Sequence, residues 1–409
     1  MKGYRKCFGR AAALGALAAA WTASATAAEA VDTIEQAFRQ ADFNVDYRLR
    51  YESVDQTGFA ETADAVTSRL RAGLMTAPLK KTRLQAEAVW VDDVVGDYNS
   101  TTNGRTQYPV VADPGGFVAL NRFAVVNESL DRATLTFGRQ RIVLDDSRFV
   151  GNVGWRQDEQ TFDAVRAELA GSAVKANLVY ANQVNRVFGP DSPVGKWHGD
   201  IVLANVGHTL SFGKLTVFDY YMDIDEAAAV SSNSVGARLA GSKPIGKIGG
   251  TYALSVARQS DAGANPADYR ASYYLLEGGL AFRKVGVSLG REVLGSDGAD
   301  AFATPLATLH AFEGWADKFL ATPAAGMTDD YVKVSYPMGR RGRFKSIGAL
   351  AVFHEFMADV GSAHYGDELD LQFVARTERI ALTLKYASYR ADTLLTDTSK
   401  VWVSMDYAF

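Results

Sequence analysis

Arginines recur at alternate positions in the first segments of the chain that alternate between polar and apolar residues. They are Arg48 and Arg50, then Arg69 and Arg71, then Arg83. A guanidinium group donates two parallel hydrogen bonds to a carboxylate, so it suits anionic solutes. Alternate residues of a β-strand point to the same face. If these segments are neighbouring strands, the five arginines form a basic stripe that binds anions.

A second group of charged residues has the same kind of position. The cations are Arg139, Arg141, Arg156, Arg166 and Lys175, with the faces of Arg139 and Arg141 ambiguous. The acids predicted to share their compartment are Glu52, Glu87, Glu168, Glu277, Glu368 and Asp370. Two interpretations stay open: the charges pair across a wall and brace it, or the cations form a ladder that guides anions.

The elements that carry these residues alternate strictly. Phe43, Val45, Tyr47, Leu49 and Tyr51 share one face of the first segment, and polar or charged residues occupy the other. About 18 such segments run from residue 42 to residue 409, with 16 as the alternative. Their spacers are short at 78–80, 170–171 and 376–378, and long at 93–118, 143–158, 183–199 and 295–328. This pattern predicts an all-β transmembrane antiparallel barrel with short periplasmic turns and long extracellular loops, rather than a soluble sandwich or propeller.

Both ends of the chain agree with export to the outer membrane. Lys2, Arg5, Lys6 and Arg10 precede an apolar run and an Ala25-Thr26-Ala27 site, which predicts a signal peptide over 1–27. A short lead-in at 28–41 and one barrel domain at 42–409 follow. The last strand ends on Tyr407 and Phe409, which resembles the C-terminal signature read by the barrel-assembly machinery. The only cysteine is Cys7, so the mature chain is expected to lack disulfides.

Two long spacers are predicted to narrow the pore. Asp145, Asp146, Arg148 and Trp155 lie in the spacer at 143–158, which folds against the inner wall or touches passing solute. His310 and Trp315 lie in the spacer at 295–328, whose apolar residues are spaced as on a short amphipathic helix. We expect that spacer to cap or plug the barrel mouth.

Two segments, 136–163 (TFGRQRIVLDDSRFVGNVGWRQDEQTFD) and 304–323 (TPLATLHAFEGWADKFLATP), resemble segments of the alginate-export family of outer-membrane barrels. The resemblance implies an 18-stranded pore that passes an anionic saccharide. Together with the arginines, it predicts a monomeric channel for anionic saccharides or small carboxylated solutes. A general diffusion porin with little anion preference is the alternative, and a loop-plugged surface scaffold is a third.

Enzymatic and nucleic-acid functions have little support. The five histidines lack metal-ligand spacing, and neither a G-x-S-x-G elbow nor a phosphate-binding loop is present. No catalytic residue, metal or cofactor is predicted. The net charge is −4 and becomes −8 without residues 1–27, which does not favour nucleic acid. The expected partners are outer-membrane lipid, the barrel-assembly machinery and an organic anion.

Overall fold

Each alternating segment of the sequence forms a strand in the computed structural model, which describes residues 30–246 and 248–409. The predicted signal peptide at 1–27 lies outside the described residues. The strands are β1 Asp42–Gln56, β2 Ala63–Met75, β3 Thr82–Asp97, β4 Phe117–Asn127, β5 Ala133–Gln140, β6 Thr161–Ala170, β7 Val174–Asn185, β8 Lys196–Thr209, β9 Lys214–Ile224, β10 Ser232–Ile245, β11 Ile248–Asp261, β12 Arg270–Phe282, β13 Val285–Leu294, β14 Met327–Arg341, β15 Phe344–Met357, β16 His364–Arg376, β17 Ile380–Ala391 and β18 Thr398–Ala408.

The 18 strands close into one antiparallel barrel, as the sequence predicts. Each strand pairs with its neighbours in the chain, and β1 pairs with both β2 and β18. At the seam, Tyr51 lies opposite Val66 on β2 and Val403 on β18. Closure leaves no free edge, so every strand has a hydrogen-bonded neighbour on both sides.

The two faces of the wall differ in polarity. Phe43 is 73% exposed and Leu289 is 60% exposed on the outside, and Glu368 and Asp370 are fully buried inside. Because side chains alternate along each strand, this division follows from the sequence pattern. Among the described residues, no helix is long and apolar enough to cross a membrane.

Turns and loops separate to opposite ends of the barrel. At one end, called here the short-turn end, the connections include 171–173, 210–213, 283–284 and 377–379. At the other end lie the long loops, including 98–116, the first inner loop at 141–160 and the second inner loop at 295–326. By the general rule for bacterial barrels, the short-turn end faces the periplasm.

The two inner loops fold into the barrel and form its apolar core. Ile142 and Val150 of the first inner loop cluster with Phe302 and Leu306 of the second and with wall residues such as Phe356. The predicted amphipathic helix is not found in the second inner loop, where only Leu309–Ala311 form a 3₁₀ turn. The apolar residues instead pack in an extended loop, because both ends of the loop are tied to the wall.

The lead-in forms a short helix, α1 Ile34–Arg39, at the short-turn end. The Gln36 N–H donates to Thr33 Oγ1 at 3.2 Å and caps the helix. Val31 and Ala37 pack on Ala77 and Leu79 of the turn between β2 and β3. This contact holds the beginning of β1 beside its neighbour.

Candidate functional site in the barrel lumen

A basic wall faces the lumen on β1 and β2. Arg48 Nε donates to Asp406 Oδ1 at 2.6 Å, and Arg69 Nη2 donates to Asp46 Oδ1 at 2.7 Å. Each arginine therefore has one carboxylate on a neighbouring strand. Arg71 lies on the same face, with its Nη1 3.7 Å from Glu159 Oε1 of the first inner loop. These inward positions are those that the alternation predicts.

The same wall holds the first inner loop in place. Arg48 Nη1 donates to the Trp155 carbonyl at 3.0 Å, and Arg50 Nη2 donates to that carbonyl at 2.6 Å. Arg50 also pairs with Asp113 of the loop at 98–116, at 3.2 Å. The guanidinium of Arg50 stacks 4.0 Å from the centre of the Trp155 ring. These contacts hold Trp155 against the lumenal face of β1.

Several N–H groups of this wall remain without an acceptor among the described residues. They include Nε and Nη1 of Arg69 and Nε and Nη2 of Arg71. Both side chains are at least nine-tenths buried. A buried guanidinium group gains when its remaining donors are paired, so this wall can accept an additional anionic oxygen.

The predicted second group of cations divides between the two faces. Arg141 of the first inner loop lies in the lumen and contacts Glu159 and Glu87. Arg156 is buried there as well. Arg139 departs from the lumenal prediction. It lies on the same face of β5 as the exposed Phe137, and it donates two hydrogen bonds to Asp163 on the outer face. The residue opposite Arg139 on β4 is the exposed Phe123, so the pair with Asp163 compensates the charge of Arg139 on a largely apolar face.

The remaining predicted cations line the lumen towards the short-turn end. Arg83 lies 3.9 Å from Glu128, and Arg166 contacts Glu168 at 2.7 Å and Asn177. Lys175 is exposed on the same face as Asn177. This part of the lumen stays accessible to solvent, since Glu168 retains 42% of its side-chain surface.

The predicted acids all face inward and serve different contacts. Glu87 pairs with Arg122 and accepts from Asn121. Glu277 accepts from Tyr331 at 2.8 Å and from Lys333 at 2.9 Å. No described side chain donates to the carboxylate of Glu52, which is buried.

The acid pair on β16 binds the second inner loop. Glu368 and Asp370 accept hydrogen bonds from the backbone N–H groups of Ala316 at 2.6 Å and Trp315 at 3.1 Å. These two bonds fix the residue that carries the Trp315 ring. The acids therefore position a loop rather than stand free in the lumen.

Ion pairs attach the first inner loop to the opposite wall. Asp145 accepts from Lys214 at 2.9 Å, and Asp146 pairs with Arg238 at 2.8 Å. Arg148 is fully buried, and its Nε donates to Glu292 Oε1 of β13 at 2.6 Å. Arg148 also contacts Glu313 of the second inner loop. The loop is therefore attached to the wall from β9 to β13, as the prediction of a loop folded on the wall requires.

Both inner loops meet β17 and β18 in a cluster of aromatic rings around a lysine. Lys385 Nζ lies 3.7 Å from the centre of the Trp315 ring and 4.2 Å from that of Trp155. Trp155 also stacks on His310, with ring centres 4.5 Å apart, and Trp402 closes the cluster. These four rings and one cation form a cluster called here the tryptophan constriction: Trp155, His310, Trp315, Lys385 and Trp402.

A hydrogen-bonded chain runs beside the constriction. Because an ammonium group only donates, Lys385 donates to His310 Nε2 at 2.7 Å, and His310 Nδ1 donates to Asp317 at 2.8 Å. Asp317 also accepts from Arg156 Nη2 at 2.9 Å and from Lys400 at 3.3 Å. Asp317 thus places one negative charge between the cations Arg156 and Lys400.

Burial and nearby charges shift the pKa values of three ionisable groups in the inner loops. Burial lowers the pKa of His310 well below its usual value, so the ring is neutral near pH 7. Burial alone would raise the pKa of Asp317, but His310, Lys400 and Arg156 outweigh it and hold that pKa well below its usual range. Burial raises the pKa of Asp158 to about 7, and Arg71 opposes this rise.

Some residues of the site were missed in the sequence. Lys385 and Lys400 alternate with apolar residues in their strands, so the same parity rule would have placed them inside. Asp113, Glu159 and Asp317 lie in loops, where no strand alternation predicts which way a side chain points. Among the described residues, no group of three or more His, Cys, Asp or Glu could hold a metal ion.

Known structures share this fold. OpdO from Pseudomonas aeruginosa matches with a TM-score of 0.70 at 12% identity, over 92% of this chain and 98% of OpdO. The outer membrane protein opdK from the same organism matches at 0.70 and 12%, over 90% of this chain and 98% of opdK. OccAB4 from Acinetobacter baumannii matches at 0.68 and 11%, over 90% of this chain and 98% of OccAB4. At these identities the likeness concerns the fold.

The closed wall of 18 strands with an apolar exterior determines where the chain resides. It is an outer-membrane β-barrel. No protein-family model matches the chain, and no curated protein sequence matches it. The resemblance to the alginate-export family therefore remains a prediction about the barrel.

Proposed function

We propose that the barrel is a passive channel for small carboxylated solutes, with anionic saccharides as the leading class. The observation that supports it is the basic wall of β1 and β2, where buried N–H groups of Arg69 and Arg71 have no acceptor among the described residues. A carboxylate can take two of these donors at once. The neighbouring Asp46 and Glu159 keep binding weak enough for release.

The path we propose begins at the accessible short-turn side of the lumen and passes the basic wall. Arg83, Arg166 and Lys175 raise the local concentration of anions there. The solute then meets the tryptophan constriction, whose rings offer apolar faces to a sugar or a short carbon chain. The inner loops pack into the barrel at this level and bury Trp402, which favours small solutes over a threaded polymer such as alginate.

Two alternatives have support of their own. Most lumenal arginines have a carboxylate partner, such as Asp406 for Arg48, and such balance favours a general porin with little anion preference. The buried constriction, with Trp402 inaccessible to solvent, favours a barrel sealed by its loops. Both alternatives predict electrical behaviour that differs from that of an anion channel.

The test is single-channel recording on the refolded mature protein in a planar bilayer under a KCl gradient. For an anion channel, the reversal potential has the sign of the chloride equilibrium potential. A small carboxylate such as gluconate or a diuronate then reduces the current. A reversal potential near zero without block identifies a general porin. Folded protein that inserts and does not conduct overturns the channel proposal. Block by diuronate and also by long oligouronates would extend the proposal to alginate-like polymers.

A further inference from the structure

The outer face of β10 to β13 is interrupted by a hollow near the short-turn end. Its volume is about 570 Å³. Two rows of paired residues cross it, Gly241, Tyr252, Gly278 and Leu289 in one and Lys243, Gly250, Leu280 and Val287 in the other. Leu280, Val287 and Leu289 are exposed on the outside of the barrel, so the hollow opens towards lipid and not towards the lumen.

Missing side chains create the hollow. A Cβ at Gly278 would meet no atom within 4 Å, and Gly250 provides no side chain in the next row. Tyr252 borders the space because its ring lies over Gly241 and its hydroxyl donates to the Phe212 carbonyl at 2.6 Å. The wall around the hollow is therefore fixed, and its lining is mostly apolar.

Cations surround the short-turn end of this hollow. Lys243 lies at its edge, and the turn that joins β12 to β13 carries Arg283 and Lys284. Lys284 Nζ reaches the Met338 carbonyl of β14 at 3.4 Å, which brings the next turn close. Together these residues form a surface called here the basic rim: Lys243, Arg283, Lys284, Arg340, Arg341 and Arg343.

The basic rim lacks acidic neighbours along the chain. Residues 241–253, 278–291 and 331–354 contain no Asp or Glu, although the protein as a whole has a net charge of −4. In the lumen, by contrast, most arginines have a carboxylate partner. A surface cluster of uncompensated cations at the level of lipid headgroups attracts phosphate.

We propose that this face binds one anionic glycerophospholipid of the inner leaflet. One acyl chain lies in the hollow over Gly250 and Gly278, and the headgroup phosphate accepts hydrogen bonds from Lys243, Lys284 and Arg283. The occupant is identified by two complementary features, an apolar groove along the strands and a cationic end at the periplasmic interface. Neither feature involves the lumen, so the proposal is independent of whether the barrel conducts.

The experiment is native mass spectrometry of the refolded mature protein with phosphatidylglycerol, cardiolipin or phosphatidylethanolamine added in equal amounts. We expect the protein to retain the two anionic lipids at least about 5-fold more than phosphatidylethanolamine. Lys243→Gln with Lys284→Gln should reduce this preference to near equality. Gly278→Leu, which fills the hollow without a backbone clash, should reduce retention of all acyl lipids at the site.

Matched controls separate the site from general effects. Arg132→Gln removes an exposed cation from a different short turn, and Val217→Leu enlarges an exposed outer side chain on β9; both should retain lipid as the wild type does. All variants are checked for the heat-modifiable gel shift of a folded barrel. Equal retention of the three lipids by the wild type overturns the proposal. An unchanged anionic preference in the double lysine variant overturns it as well, as does full lipid retention by Gly278→Leu. Loss of retention in the controls also overturns it.

Discussion

Arg156 of the first inner loop and Asp317 of the second form a buried ion pair, with Nη2 and Oδ2 2.9 Å apart. The two residues are 161 positions apart in the sequence. Both side chains are more than nine-tenths buried. This pair joins the two inner loops beside the tryptophan constriction, where Asp317 also accepts from His310.

Removing the carboxylate should loosen the constriction. Asp317→Asn leaves Arg156 and Lys400 without their shared partner, and breaking one side of a buried pair costs about 3–5 kcal/mol. We expect the variant to fold, to show noisier currents with larger openings, and to expose the second inner loop to protease. Glu355→Gln, on the exposed outer side of β15, is the control and should leave current noise unchanged. Quiet wild-type currents from Asp317→Asn would contradict this role.

The pair also predicts behaviour in acid. Because the folded pKa of Asp317 lies well below its unfolded value, its contribution to loop closure is present above about pH 4 and is lost as the pH falls through the depressed folded value. Wild-type loop noise should therefore increase only in strong acid. Current noise recorded from pH 7 to pH 3 tests this. A transition near pH 6 would show that another group holds the two inner loops together.

The cations of the basic wall should set ion preference. Arg69→Gln with Arg71→Gln removes two charges beside the path, and we expect the anion-to-cation permeability ratio to fall at least about 3-fold. Reversal potentials under a salt gradient measure this ratio. Arg139→Gln removes an arginine from the outer face and should not change it. If the double variant keeps the wild-type ratio, the basic wall does not select anions.

Trp315 should limit conductance. Its ring packs on Lys385, and its backbone is fixed by Asp370, so Trp315→Ala opens space without releasing the loop. We expect single-channel conductance to rise at least about 1.5-fold, because pore cross-section limits flow at a constriction. Trp90→Ala, on the outer face, should leave conductance unaltered. Unchanged conductance in Trp315→Ala would locate the narrowest point elsewhere.

Asp158 should make anion preference depend on pH near neutrality. Its raised pKa of about 7 means that it is mostly charged at pH 8 and mostly neutral at pH 6. As the pH falls across this range, the surroundings of Arg71 lose a negative charge, and the permeability ratio should shift towards anions. Reversal potentials of the wild type and Asp158→Asn check this. The variant should show the low-pH preference at both values, and a remaining pH dependence would indicate another titrating group.

The final aromatic residue should matter for assembly more than for stability. Phe409 is 69% exposed, and its ring contacts only the ring of Tyr407 among the aromatic side chains described, at 4.4 Å. We expect Phe409→Ala to reduce the amount of folded barrel in the outer membrane several-fold, with little change in the unfolding temperature of the purified protein. Phe43→Ala, an exposed aromatic at the same end, is the control. Equal assembly of both variants would remove Phe409 from the signal.

Alternation determined the wall of this protein. In β1 the lipid-facing set from Phe43 to Tyr51 and the inward positions of Arg48 and Arg50 could be assigned from sequence, because strand geometry alone sends alternate side chains to opposite faces. The strand number followed in the same way. Arg139 shows the limit of a rule based on charge: its charge suggested the lumen, but its parity placed it with Phe137 on the outer face, where Asp163 is its partner.

Only the tertiary structure decided the contents of the lumen. Arg148 pairs with Glu292 of β13, 144 positions away, and Arg156 pairs with Asp317 of the second inner loop, 161 positions away. Closing the barrel brings these residues together. The second inner loop illustrates the same point, because helical spacing of its apolar residues gave way to wall contacts through Trp315 and Ala316. Consecutive residues determine which face of a strand a side chain lies on. The contacts of a loop depend on which distant residues the closed barrel brings close to it.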